Sequence, residues 1–167
     1  TNASLTIRDC LFEDNRSGRK VVYDYGDGYV ETWWEDANAT AAVYARGAPV
    51  HIAGTVFRGN DSAEQPWGGI EGGNAGALNL VNAGGSLVER CDFIGNSGYG
   101  AGAALIAGGP IELLACRFLN NHGLYNGGAI ATAYDWESAY TYYQLYGTEP
   151  PPTAVAMENC LLLNNRA

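Results

Sequence analysis

The sequence predicts an all-β chain: a right-handed parallel β-helix solenoid of about five coils, carrying three loop insertions. Three observations predict it. A pattern of apolar-x-apolar-x-x-Cys-x-Phe-x-x-Asn returns five times. A shorter motif, two small residues and an aliphatic one, recurs between the copies. Glycine makes up 23 of 167 residues, roughly twice its usual share of about 7%, and in helix interiors each would cost about 1 kcal/mol.

The copies follow in chain order. The first is Leu5, Ile7, Cys10, Phe12, Asn15; the second is Val50, Ile52, Thr55, Phe57, Asn60, with Thr in place of Cys. The third, Ser86, Val88, Cys91, Phe93, Asn96, is weakest at its first position. The fourth is Ile111, Leu113, Cys116, Phe118, Asn121, and the fifth is Val155, Met157, Cys160, Leu162, Asn165. Alternation with period two marks short strands that turn every second side chain inward. The alternation slips by one residue before Cys-x-Phe, and a slip in a period of two requires a bend.

The shorter motif reads Ala41-Ala42-Val43, Gly76-Ala77-Leu78, Ala103-Ala104-Leu105 and Gly128-Ala129-Ile130, followed two residues later by Ala45, Leu80, Ala107 and Thr132. Each unit thus offers three short strands, none able to bury its inner face alone. Stacking the units about 4.8 Å apart closes a core and pairs the backbones between coils. The handedness of parallel crossovers makes the helix right-handed. An antiparallel sandwich would show unlike strands rather than one motif returning in register. The Asn-to-Asn spacings are 45, 36, 25 and 44 residues, so Asn96 to Asn121 is the undecorated unit. Insertions at 16–40, 61–73 and 133–152 lengthen the others.

Phe-x-x-Asn alternating with Gly-Gly-Ala-(Ile/Leu/Val) resembles the repeats of the polymorphic outer-membrane proteins of chlamydiae, and more broadly the pectin-lyase-like right-handed β-helix superfamily. The first half is met by Phe12–Asn15, Phe57–Asn60, Phe93–Asn96 and Phe118–Asn121, with Leu162–Asn165 a variant; the strict second half appears at Gly127–Ile130. The resemblance spans the chain apart from the insertions. It implies the fold and an extracellular or cell-surface setting, not an activity.

The repeated columns read as core. Cys10, Cys91, Cys116 and Cys160 share one column with Thr55. Ligands one coil apart do not converge as a metal site needs, and parallel side-chain vectors strain a disulfide. The column is expected to be a ladder of free, buried thiols. The Asn column is expected to occupy tight turns, where Asn tolerates left-handed backbone and bonds the next Asn along the stack. Of the Asn-x-Ser/Thr sequons, those of Asn15 and Asn60 belong to this ladder and should be inaccessible. Asn2 and Asn38 would carry glycan in a glycosylating pathway.

Loops on a rigid scaffold carry specificity. The insertions concentrate aromatic and acidic residues, among them Trp33, Trp34, Trp67, Trp136, Tyr140 and Tyr143. Rings stack on sugar faces and carboxylates bond hydroxyls; Tyr and Trp also dominate protein interfaces. The structural alternative is that these side chains fold back as lids on the flank of the helix.

Composition narrows the partners. Nine basic against eighteen acidic residues give a net charge of −9, which repels nucleic acid. No apolar run reaches the roughly 18 residues needed to span a bilayer. For catalysis, Glu89, Asp92 and Arg117 lie at outward positions of the third and fourth copies and are the nearest approach to an acid/base group. An ordinary cross-strand ion pair is the plainer reading. Asp24-Tyr-Gly-Asp27-Gly lacks the alternating oxygen ligands of a calcium loop. His51 faces outward and His122 follows a turn, neither with a partner of matching spacing. No metal and no cofactor is expected.

Both ends of the chain offer open strands, so the segment is expected to belong to a longer solenoid or a stacked assembly. The leading expectation is therefore a structural or adhesive segment of an extracellular, surface-displayed protein, touching neighbouring protein subunits or glycan through its aromatic loops. The alternative is a carbohydrate-active enzyme, a polysaccharide lyase or glycoside hydrolase of the pectin-lyase-like superfamily. A third is an intracellular scaffold, which free thiols permit and a glycosylated Asn38 would exclude.

Overall fold

A computed structural model describes residues 4–17, 19–24, 26, 30–35, 42–62, 74–133, 140, 143–144, 147 and 153–167. The described chain is β-rich, built from stacked parallel sheets of a kind compatible with a β-helix-like solenoid. Sheet I takes one strand from each copy of the long motif: Leu5–Arg8, Val50–Ala53, Ser86–Glu89, Pro110–Leu114 and Ala154–Glu158. Sheet II does the same with Leu11–Glu13, Val56–Arg58, Asp92–Ile94, Arg117–Leu119 and Leu161–Leu163. Neighbouring strands are parallel and in motif register, Leu5 beside Val50, Phe12 beside Phe57 and Phe118 beside Leu162.

The bend between these sheets has a backbone cause. Asp9, Gly54, Arg90, Ala115 and Asn159, each just before the Cys/Thr column, all have positive φ between 50° and 57°. One left-handed residue turns the chain and resets the alternation, so that Phe points inward after the slip. The same device closes the other end of sheet II at Asp14, Gly59, Gly95, Asn120 and Asn164. The left-handed position is thus the residue before the Asn column, not the Asn itself as expected from its turn propensity. The Asn is fully buried at positions 60, 96 and 121 and is held by its ladder instead.

Sheet III escapes sequence reading because its strands are two residues long: Asp61–Ser62, Ser97–Gly98 and His122–Gly123. Sheet IV holds the shorter motif as Val43–Arg46, Leu78–Val81, Ala104–Ala107 and Ile130–Ala133. Here one expected register is corrected. Ala104, not Leu105, lies beside Leu78 and Ile130. The aligned element is Gly76, Gly102 and Gly128, where a Cβ on Gly102 would stand 2.1 Å from the Gly128 carbonyl oxygen. Leu105 instead turns to the other side of the sheet and packs with Ala75, Ala101 and Ala131.

The core lies between the sheets. Phe57, Phe93 and Phe118 are fully buried, and the rings of Phe12, Phe57, Phe93 and Phe118 stack at 5.1, 4.8 and 4.7 Å, within 7° of parallel. The Asn ladder runs beside them. Each Asn donates Nδ2–H to the Oδ1 of the next, at 2.8 Å from Asn15 and Asn60, 3.0 Å from Asn96 and 2.9 Å from Asn121. The backbone N–H of the same residue donates to the same oxygen, and the second amide hydrogen reaches the Phe carbonyl one copy back. Asn60 is fully buried with both amide hydrogens bonded, whereas Asn15 is half-buried and gives one amide hydrogen to Asn60.

All four cysteines are free. Cys91 and Cys116 are buried, whereas Cys160 is half-buried and Cys10 is exposed because each belongs to an outermost strand pair. The column does more than fill space. The thiols of Cys10, Cys91, Cys116 and Cys160 each donate to the carbonyl two residues back, at 3.1 to 3.4 Å, and the Thr55 hydroxyl does so at 3.1 Å. A small side chain with a donor is what the corner requires, which explains why Thr can replace Cys. Ser86, the weak first position of copy three, is likewise buried and accepts from Val50 N–H at 2.9 Å.

Candidate functional surfaces

The outward positions of sheets I and II carry the polar side chains. Asp92 and Arg117 stand directly opposite each other and form a two-point ion pair, with Arg117 Nε donating to Asp92 Oδ1 at 2.6 Å. The expected proximity of these two residues is realised. Glu89 does not join them. The left-handed turn at Arg90 separates it from Asp92, and its carboxylate goes the other way, to His51 Nε2 at 2.9 Å and to Arg90 Nη1 at 2.5 Å.

His51, which the sequence left without a partner, is the centre of this second group. Its Nδ1 stands 3.4 Å from Arg8 Nη2 and its Nε2 2.9 Å from Glu89 Oε1, so the ring lies between a cation and a carboxylate. His51 and Glu89 lie on adjacent strands at diagonal positions, a relation invisible until the 38-residue gap between them is folded. Glu13 and Arg58 make a third cross-strand pair, at 2.6 Å through Nε.

The electrostatics of these groups oppose acid catalysis. The hydrogen bond from His51, with Arg90 beside it, holds the Glu89 carboxyl below the usual carboxylate range despite some desolvation. A general acid needs the reverse shift. The Asp92 carboxylate raises the Arg117 guanidinium further above its ordinary range. Of the thiols, a hydrogen bond with Cys91 and burial push Cys116 up and burial raises Cys160, while the same Cys116 bond lowers Cys91, whose sulfur is fully buried and out of reach of a substrate. Among the described residues no group of His, Cys, Asp or Glu could hold a metal ion, and no helix is long and apolar enough to cross a membrane.

The aromatic positions divide. Tyr140 and Tyr143 are exposed, at 67% and 54%. Trp33 and Trp34 fall in an antiparallel hairpin, Arg19–Asp24 with Val30–Glu35, where the backbone of Trp33 pairs with Val21. That hairpin belongs to the first insertion, which leaves the stack beside the bridge between Arg16 and Asp61. Trp67, Trp136, Asn2 and Asn38 lie outside the described residues.

Sequence reading passed over a further aromatic pair. Tyr99 and Tyr125 sit in the turns after the third and fourth copies, ring centroids 4.4 Å apart and tilted by 35°. A hydrogen bond with Tyr125 holds the Tyr99 phenol above its ordinary range. Tyr125 is largely exposed. The signal was present in the spacing: the two residues are one undecorated unit plus one residue apart, and the extra residue, Leu124, disguised the match. Against family models, curated proteins and solved structures alike, the chain has no match.

Proposed function

We propose that this chain is a right-handed parallel β-helix of about five coils acting as a structural or adhesive segment of an extracellular, surface-displayed protein. Its exposed tyrosines would contact neighbouring protein or glycan. The observation that carries this reading is the division of labour on its surface. The acidic groups nearest to a catalytic arrangement, Glu89 and Asp92, are both engaged by cations, whereas Tyr140, Tyr143 and Tyr125 present rings to solvent. A tyrosine ring offers a large contact area with few rotatable bonds to freeze on binding, which favours contact over chemistry. In a glycosylating pathway Asn2 and Asn38 would carry the glycan of such a surface protein.

Incubation with a panel of neutral and acidic polysaccharides tests the reading, with retention and newly formed chain ends scored together. Retention without cleavage, reduced in a Tyr140→Ala/Tyr143→Ala variant, is the expected result for glycan contact. New chain ends that disappear in Glu89→Gln or Asp92→Asn would overturn it in favour of a lyase or hydrolase.

A further inference from the structure

We infer that Tyr99 and Tyr125 form an oxidative cross-linking site, where one-electron oxidation joins the two phenols into a dityrosine that ties one copy of the repeat to the next. The two residues follow neighbouring strands of sheet III, Ser97–Gly98 and His122–Gly123. Their ring centroids are 4.4 Å apart, with a tilt of 35°. The phenylalanine rings of the core stand farther apart, at 4.7 to 5.1 Å, and lie nearly parallel. Burial accounts for that stack. It does not account for the tyrosines, which occupy an outer turn where even Tyr99 is only half-buried. Among the described residues, no other two tyrosines have their rings in contact.

The backbone holds the pair from both sides. Leu124 N–H donates to the Gly98 carbonyl at 3.0 Å, Tyr125 N–H to the Tyr99 carbonyl at 3.1 Å and Asn126 N–H to the Gly100 carbonyl at 3.2 Å. The two rings are thereby carried one strand spacing apart, and side-chain rotation alone brings them together. The phenols also hydrogen-bond each other, which holds the Tyr99 hydroxyl proton more firmly. That bond sets hydroxyl beside hydroxyl, so the ring carbons ortho to oxygen lie at the same end of the pair. Groups held this way react at the high effective concentration of an intramolecular step. The contact joins two adjacent units of one chain and needs no residue from outside it.

Each phenol gives up one electron and its hydroxyl proton and becomes a phenoxyl radical, with spin density on its ortho carbons. One ortho carbon of each ring joins in a carbon–carbon bond. The hydrogen on each joined carbon then moves to oxygen, restoring both phenols, and the chain has lost two hydrogens in all. The oxidant is hydrogen peroxide acting through a haem peroxidase; it takes up the two electrons and two protons and leaves as two waters. Only the natural supply of that oxidant rests on the extracellular reading above. The link closes a loop between neighbouring units, which restricts the unfolded chain and so favours the folded one.

The test treats the 167-residue chain at low concentration with a haem peroxidase and limiting hydrogen peroxide, then reduces any disulfides before mass spectrometry of the peptides. The expected product is a monomer lighter by two hydrogens, with dityrosine fluorescence and one peptide pair joined through Tyr99 and Tyr125. Its yield per chain should not change with dilution. Tyr99→Phe and Tyr125→Phe should each abolish the link, with circular dichroism checking that the fold is kept, whereas Tyr140→Phe/Tyr143→Phe should leave it intact. The linked chain should unfold at a higher urea concentration than the untreated one, and an unchanged midpoint would overturn the bracing role. Coupling chiefly at Tyr44, Tyr140 or Tyr143, chiefly between chains, or persisting in Tyr99→Phe would overturn the site. So would a chain that forms no dityrosine while free tyrosine under the same conditions couples. Polysaccharide retention is scored on the unoxidised chain, so the cross-link and the contact surface can fail separately.

Discussion

The two sides of sheet II obey different rules. Inward, Phe12, Phe57, Phe93, Phe118 and Leu162 repeat one choice in one register. Outward, the column one residue earlier reads Leu11, Val56, Asp92, Arg117 and Leu161, and mixes aliphatic, acidic and basic side chains. The inner column faces copies of itself, and identical flat rings at about the strand spacing stack without voids. The outer column faces water, where each residue answers only to its immediate neighbours. The repeat therefore encodes the frame, and whatever distinguishes this chain lies where the repeat is ignored.

The comparison breaks most visibly in the ring stack. Phe93→Ala removes a buried ring with neighbours at 4.8 and 4.7 Å on its two faces, and rigid sheets on either side cannot close the cavity. Urea unfolding should show a loss of about 3–5 kcal/mol. Leu162→Ala, at an end where the side chain is 50% exposed, should cost a fraction of that. Equal losses at both positions would mean that the ends are as well packed as the middle.

Asn96→Ala comes next. It strips the acceptor from Asn60, whose N–H and Nδ2–H are bonded to it at 3.1 and 2.8 Å, and the donor from the Phe57 carbonyl at 3.0 Å. With Asn60 and Asn96 fully buried, no water replaces these partners, and the cost should be about 3 kcal/mol in the same assay. Asn165→Ala strips the same acceptor from the buried Asn121 and the donor from the Phe118 carbonyl, but Asn165 is only half-buried, so water can take its place and the cost should be about 1 kcal/mol. A difference too small to resolve would show that the ladder is an accompaniment to packing and not a support of it.

A smaller change should act in the opposite direction. Ala115 is an exposed residue held at φ 51°, a conformation that an L side chain adopts at a cost of about 1 kcal/mol relative to glycine. Ala115→Gly should therefore raise stability by about 0.5–1 kcal/mol. The second copy already uses glycine at this corner, Gly54, where a Cβ would stand 2.4 Å from Asp9 Oδ1. The corner geometry is shared and only its occupant varies.

This difference also sets how much was legible. The inner columns were readable because stacking forces chemically equivalent residues to recur at fixed offsets: Phe, Asn, Cys or Thr, and the aliphatic pair. The corners were half legible, since the slip in alternation announced a bend while the left-handed residue varied among Asp, Gly, Arg, Ala and Asn. Sheet IV misled at Leu105 because an aliphatic residue stands out more than the glycine that sets the register. The sheet of Ser97–Gly98 and its neighbours is too short to show a period. On the outer surface the Asp92–Arg117 pair followed directly from the repeat, lying opposite one another in register. His51 and Glu89 did not, because a diagonal contact depends on side-chain reach and on which cations compete for the carboxylate.

The Glu89 group gives the smallest effect and the sharpest view of the outer face. Its carboxyl is held below the usual range by the hydrogen bond from His51 and by Arg90. A carboxylate whose folded pKa lies below its unfolded one adds stability that is fully present above the unfolded value and lost as pH falls through the folded value. The native chain should thus lose part of its margin over Glu89→Gln on acidification from neutral pH through the carboxylate range. At neutral pH the variant should be the less stable, and below that range the two urea midpoints should converge. Midpoints that keep a constant separation from neutral to acid pH would mean that Glu89 is not ionised against its neighbours. The His51 contact would then be a matter of packing rather than charge.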